Sequence, residues 1–362
     1  MPPLWPLAPS PPPEYAPLMT LDKAIPAQVS SDKPQSIAII GAGLAGLACA
    51  NALRAHGHSV TLFDKSRGPG GRMSTRRAQT DLGELQFDHG AQYFTSQHPR
   101  FAAQVHRWVA QGHAAVWANA SMATGKPAYI GIPSMNAPVK ALAEGHTIHW
   151  NAKATAIHHD AQGWHITLET SPENAASETE GSPYAALLIA IPPDQAAPLL
   201  APWDAAMSAA AAQTPSAPCW TVMAAFAQPL PKSQTILRAT STKDFGPIGW
   251  AACNSTKPLR PASALQTWVI QAPPEWSAAN LTMPAEQVSQ TLLAALGTAL
   301  NQEIPEPAYV TAHRWLYARA GSLGQTHLYN PVLSLGACGD WLLGPRIENA
   351  WLSGTALAEA VA

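Results

Sequence analysis

Three glycines, Gly41, Gly43 and Gly46, stand at G-x-G-x-x-G spacing, and an acid, Asp64, follows them. That combination suits the holding of a dinucleotide. The first glycine permits a tight turn, the second lets backbone approach a pyrophosphate, and the third lets a helix pack closely on a strand. The helix beginning there offers free N–H groups and the positive end of its dipole to phosphate, around Ala42, Leu44 and Ala45 as well as the glycines. Asp64, with Lys65 beside it, is placed to accept hydrogen bonds from both hydroxyls of an adenosine ribose. A second glycine-rich loop, Arg67-Gly68-Pro69-Gly70-Gly71-Arg72, follows at once. On its own the loop reads as a solvated basic turn.

The elements around these residues decide between those readings. Ile37–Ile40 is a short β-branched run, read as a buried parallel strand. An Ala- and Leu-rich helix follows from Leu44 to Ala55 and ends at Gly57, and a second strand, Val60–Phe63, delivers Asp64 at its carboxyl end. Strand, glycines, helix, strand and acid thus come in the order that a dinucleotide-binding unit requires.

The bulk numbers bound the rest. A chain of 362 residues fits two intimately joined domains. Charged residues make up 12%, about half the usual share, and the net charge is −2, with no basic patch or tail; this argues against nucleic acid or an anionic membrane as partner. No apolar run approaches the length of a membrane span. The four cysteines (Cys49, Cys219, Cys253 and Cys338) are scattered without metal-ligand spacing and read as free thiols, which fits a reducing, cytoplasmic setting. Residues 1–35 are Pro-rich and lack apolar periodicity, so a disordered extension is expected there, with Met19 as an alternative start.

After Arg72 come Met73-Ser74-Thr75-Arg76-Arg77 and, further on, Asp88-His89-Gly90-Ala91-Gln92-Tyr93-Phe94-Thr95. The R-x-x-G-G-R loop resembles the second phosphate-and-flavin loop of the FAD-dependent amine oxidase superfamily. G-G-R-M-S-T-R-R followed by D-H-G-A-Q-Y-F-T resembles its bacterial renalase-like branch. The resemblance implies non-covalently bound FAD. It would place Gly71, Arg72 and Met73 along the cofactor, Gly90 and Ala91 against the isoalloxazine, and Gln92 and Tyr93 as polar or stacking contacts. It also puts backbone near Ala154 at the adenine and Pro192 where the chain closes over the cofactor. In the closing segment, Asp340 would accept from a ribityl hydroxyl, and Asn349 and Ala350 at a helix start would aim amides at the flavin.

The implied fold is α/β. It has a discontinuous Rossmann-like FAD-binding domain (36–97, 145–198 and 328–362) and a mainly antiparallel substrate domain with helices (98–144 and 199–327). Within the latter, strand-like runs at Cys219–Ala227, Ile248–Cys253, Thr267–Gln271 and Tyr309–Trp315 flank a helix from Pro284 to Asn301. Trp220, Trp250, Trp268, Trp276 and Trp315 all lie here and could roof a flavin, although tryptophans are more often core. His146, His149, His158, His159 and His165 crowd one region, but strand alternation scatters them and no carboxylate accompanies them, so no metal site is expected.

The resemblance implies a reaction. Renalase-like flavoproteins take hydride from off-pathway dihydronicotinamide isomers and pass electrons to oxygen, giving hydrogen peroxide. Hydride loss from a dihydropyridine yields an aromatic pyridinium with no proton for a protein base to remove, so orientation matters more than acid–base side chains. Gln92, Tyr93, Trp250 and His313 are the side-chain candidates. An amine or amino-acid oxidase is the alternative; it would want a lysine near the flavin, for which Lys257 in N-S-T-K-P is the candidate among Lys232, Lys243 and Lys257, or a carboxylate-binding arginine among Arg238, Arg260 and Arg314. A non-catalytic FAD-binding protein and a plain NAD dehydrogenase complete the set. Small-molecule substrate and oxygen are the expected partners, acting on a monomer or homodimer.

Overall fold

The β-branched run near the start forms the strand Ser36–Ile40, at the centre of a six-stranded sheet in this computed structural model. The structure describes residues 34–169, 183–230, 235–241 and 244–362. The Pro-rich extension up to residue 33, the Ser/Glu/Gly-rich stretch 170–182, Lys232 and Lys243 lie outside the described residues. Across the sheet the order is Leu328–Asn330, Leu335–Ala337, Ala186–Ile189, Ser36–Ile40, Ser59–Asp64 and Thr147–Trp150. Pairing is parallel except at the Leu328–Asn330 edge. The central strand is buried on both faces, and its alternation feeds two cores. Ile37 and Ile39 pack with Leu47 and Leu53 of the helix Leu44–Ala55 and with Trp351 and Leu357 of the C-terminal helix Ile347–Val361. Ala38 and Ile40 pack with Ile157, Trp164, Leu199 and Trp341 on the other face.

A second sheet has five antiparallel strands, in the order Ile236–Arg238, Trp250–Cys253, Gln266–Gln271, Ala217–Phe226 and Tyr309–Arg319. One face is closed by the helix Ala285–Leu300, whose Val288, Leu292 and Leu296 meet Trp220, Val222, Phe226 and Trp268. The opposite face meets Leu85 and Phe87 of the hairpin Arg76–Thr80 and Gly83–Phe87. The period of two therefore divides the expected aromatic roof: Trp220 and Trp268 belong to the helix-side core with Trp276 packed against it, leaving Trp250 and Trp315 toward the other side.

The fold class expected from sequence is the one found, a Rossmann-like α/β sheet joined to an antiparallel sheet with helices. Boundaries moved where backbone geometry intervened. The expected strand Val332–Gly339 shortens to Leu335–Ala337, because the chain turns through Pro331 and a left-handed Ser334 (φ 48°) and folds Leu328–Asn330 back along it. The last helix begins at Ile347, so Glu348, Asn349 and Ala350 form its first turn. No helix among the described residues is long and apolar enough to cross a membrane.

Candidate functional site

Gly41 turns with φ 107°, and a Cβ there would lie 2.5 Å from the Ala190 carbonyl oxygen. A Cβ on Gly46 would lie 1.9 Å from the Gly41 oxygen, so only glycine lets the helix Leu44–Ala55 start so close to its strand. Gly43 is different: it caps that helix with no side-chain hydrogen bond, and the space a Cβ would enter holds no protein atom within 4 Å. Asp64 braces the turn, its Oδ2 accepting from the Ala42 N–H at 2.7 Å and its Oδ1 from the Ser66 N–H at 2.8 Å. Ala152 donates to the Asp64 carbonyl, which places the start of the Ala154–Asp160 strand beside the acid. Lys65 reaches the Gln195 side chain, just beyond Pro192 at the start of the helix Pro193–Leu200.

The second loop lies over the first. Gly71 (φ 51°) approaches Gly43, and Gly71–Met73 forms a short 3₁₀ turn that buries Met73. Arg72 makes a bidentate pair with Asp340, at 2.5 and 2.9 Å, although the two residues lie 268 positions apart. Its carbonyl accepts from the Ala91 N–H, and a Cβ on Gly90 would come within 2.1 Å of that same oxygen. Asp340 is thus tied to the strand edge at Gly90 and Ala91 through one arginine. The helix Ile347–Val361 also begins without a side-chain cap, while Asn349 donates to the Leu343 and Gly344 carbonyls and shapes the turn before it.

The second sheet faces this edge. Directly opposed residues form a row across it, Arg238, Trp250, Gln271, Thr221 and His313, with Arg238 exposed at the edge. Gln271 donates to the Gly90 carbonyl at 2.7 Å, Trp315 donates to the His89 carbonyl at 3.0 Å, and Tyr93 lies 5.1 Å from the Trp250 ring. The His89 ring contacts both His313 and Trp315. Burial, with His313 and Arg76 nearby, pushes His89 down to about 4, and burial and Arg76 also lower His313, so both imidazoles are neutral at pH 7.

Behind that edge lies a buried ionic knot. Asp88 accepts from Lys257 at 2.9 Å, from Arg260 at 2.6 Å, from the Thr75 hydroxyl at 2.7 Å and from the Met135 N–H at 3.2 Å. Burial alone would raise the Asp88 carboxyl, but the two cations hold it well below the usual carboxylate range. Burial pulls Lys257 down to about 8 against the attraction of Asp88. Lys257 also lies over the Trp117 ring and 3.5 Å from the Gln92 side-chain oxygen. Gln92 donates to the carbonyls of Asp88 and Gly90. Arg260, which the sequence left without a distinguishing context, and Asp88 and Gln271, which it did not single out, are thus central. The available signal was two cations within N-S-T-K-P-L-R in a charge-poor chain, and an acid ending the alternating strand that buries Leu85 and Phe87.

A family model of flavin containing amine oxidoreductases matches residues 109–362, and one of an NAD(P)-binding Rossmann-like domain matches residues 39–108. The chain belongs to the flavin containing amine oxidoreductase family. Solved structures similar in fold include a cyclohexylamine oxidase from Brevibacterium oxydans (TM-score 0.63, 15% identity, covering 91% of this chain and 99% of that one). A putrescine oxidase bound to putrescine is comparable (TM-score 0.61, 14% identity, 91% and 99% covered). Among curated relatives, an L-amino-acid oxidase of Notechis scutatus scutatus is 41% identical over 51 residues, 14% of this chain and 10% of that protein. A 4,4'-diapophytoene desaturase (4,4'-diaponeurosporene-forming) of Staphylococcus haemolyticus is 58% identical over 38 residues, 10% of this chain and 8% of that protein. These matches span no more than 10% of either curated relative's length.

The family and the Rossmann-like domain make the cofactor FAD. The residues present fit it. The open space at Gly43, beside an uncapped helix start, suits a pyrophosphate. The second uncapped helix start suits a flavin carbonyl. Among the described residues no group of three or more His, Cys, Asp or Glu side chains is arranged to hold a metal ion.

Proposed function

We propose that this protein is an FAD-dependent oxidase of the renalase-like kind, which takes hydride from off-pathway dihydronicotinamide isomers and delivers electrons to oxygen, giving hydrogen peroxide. The observation that carries this reading is the row Arg238, Trp250, Gln271, Thr221 and His313, which contains no acid and no lysine and whose one arginine is exposed on the edge strand. FAD supplies the two-electron acceptor. The protein's task is to hold a flat ring in place, and no proton need leave the substrate. Trp250 and Tyr93 offer aromatic surface, Gln271 offers an amide beside the fully buried Thr221, and His313 is held neutral. Asp64 would hold the adenosine ribose, Arg72 the pyrophosphate and Asp340 a ribityl hydroxyl. The uncapped start of the helix Ile347–Val361 would favour negative charge on the flavin through its dipole. Four buried free cysteines support a cytoplasmic setting.

A second reading, oxidation of an amine or amino acid, is favoured by the family's description and by the amine oxidases of similar fold. Against it stands Lys257, the lysine that chemistry would call on: it is fully buried and bound to Asp88. Anaerobic mixing of the purified protein with isomeric dihydronicotinamides, with NADH and a panel of amines as controls, tests both. Bleaching of the flavin by the isomers alone, with peroxide formed on readmitting air, is the expected result. Bleaching by an amine and not by the isomers would move the protein to the second reading, and silence toward every reductant would leave FAD in a binding role only.

A further inference from the structure

The Asp88 knot holds more charge than it cancels. One carboxylate meets two cations, Lys257 and Arg260, and all three side chains are almost entirely buried. Arg260 spends one nitrogen on the Gly131 and Pro133 carbonyls and another on Asp88. Among the described residues Lys257 has no second carboxylate within ion-pair distance, and it also meets the Gln92 side-chain oxygen and the face of Trp117. Gln92 leads directly to the Gly90–Ala91 edge, because it donates to the Gly90 carbonyl, which also accepts from Gln271, while Ala91 is bonded to Arg72. A buried positive charge therefore sits one side chain behind the backbone that lies beside Arg72 and Asp340. In a low-dielectric surrounding such a charge acts over several ångströms with little screening.

We propose that Lys257 is a positioning residue for the cofactor: anchored by Asp88, it fixes Gln92 and the Gly90–Ala91 edge and places an uncompensated positive charge behind them that favours reduced over oxidised flavin. The inference rests on the FAD assignment and not on the choice of substrate. A lysine pulled down to about 8 stays mostly protonated at pH 7, as the role requires. Placing the cation behind backbone, clear of the row that faces the substrate, lets it act on the cofactor's electron affinity without occupying the space where a ring must lie.

The test is the midpoint potential of the bound flavin in purified holoprotein, measured against a reference dye at pH 7, for wild type, K257M and K257R. K257M should lower the reduced-to-oxidised ratio at a fixed dye potential at least tenfold, which for a two-electron couple is about 30 mV. K257R, which keeps the charge, should return most of that loss. If K257M does not give folded holoprotein, K257Q, which retains a hydrogen bond for Asp88, takes its place with the same expectation. An unchanged potential in the uncharged variant, or an equal shift in K257R, would overturn the proposal. Neither outcome bears on whether dihydronicotinamide isomers or amines bleach the flavin, so the two readings fail separately.

Discussion

At the scale of residues, the site is built from groups that burial keeps uncharged or pairs tightly, and this gives the protein a definite acid limit. His89 takes a proton near 6.5 in an unfolded chain but only near 4 in the folded one. Between those values the unfolded chain binds more protons, so stability falls as pH is lowered from about 6.5 to about 4, by about 3 kcal/mol for this group alone. His146, lowered to about 4 by burial and Arg54, adds to the same slope. Asp88 acts below that window: its folded carboxyl is depressed, so its contribution persists above the ordinary carboxylate value and is lost as pH falls beneath it. Urea midpoints measured from pH 7 to 4.5 should therefore decline, and His89→Gln should flatten the decline substantially while leaving the loss at lower pH. A wild-type midpoint flat across this range would contradict the burial of both histidines.

At the scale of elements, the first helix does two jobs that its glycines separate. Gly43→Ala places a methyl group in the space left open above the helix start, so flavin retention should drop at least tenfold. The stability of flavin-free protein should fall by about 1 kcal/mol or less, the cost of a poorer N-cap. Gly46→Ala drives a methyl group into the Gly41 carbonyl, and both flavin and stability should be lost, the latter by about 1–3 kcal/mol. Flavin content by absorbance, beside thermal unfolding of stripped protein, reads both effects; equal behaviour of the two variants would count against a ligand at Gly43. Such elements were legible because their signals are local: glycine spacing, a β-branched run, an acid at a strand end. The hairpin Arg76–Thr80 and Gly83–Phe87 was not, because the alternation of Leu85 and Phe87 is too short to stand out and its order comes from packing Phe87 on Tyr309, far along the chain. The split of the tryptophans between two faces likewise depends on strand register, which fixes Trp220 opposite Arg314 and Trp250 opposite Gln271.

At the scale of the whole molecule, the two sheets are joined by side chains from widely separated segments. Asp88 meets Lys257 and Arg260, Trp315 bonds the His89 carbonyl, and Glu348 accepts the Gln97 and His98 N–H groups at 2.6 Å each. Composition alone gives no sign of these joins, because a pair so distant in sequence leaves no periodic trace. The bond between Arg72 and Asp340 carries this furthest, since it spans 268 positions. During synthesis the glycine turn and Arg72 leave the ribosome long before Asp340 is made. At 5–20 residues per second the delay is roughly 13–54 s. For that interval Arg72 lacks the Asp340 carboxylate, and the strand Ala186–Ile189, once made, waits for Leu335–Ala337. Chains stalled before Leu335 should be recovered without FAD, and chains stalled on a linker that exposes all 362 residues should carry it. Cofactor supply then matters only once Leu335–Ala337 and Asp340 have been made, and a cell short of flavin would accumulate colourless chains that have passed that point.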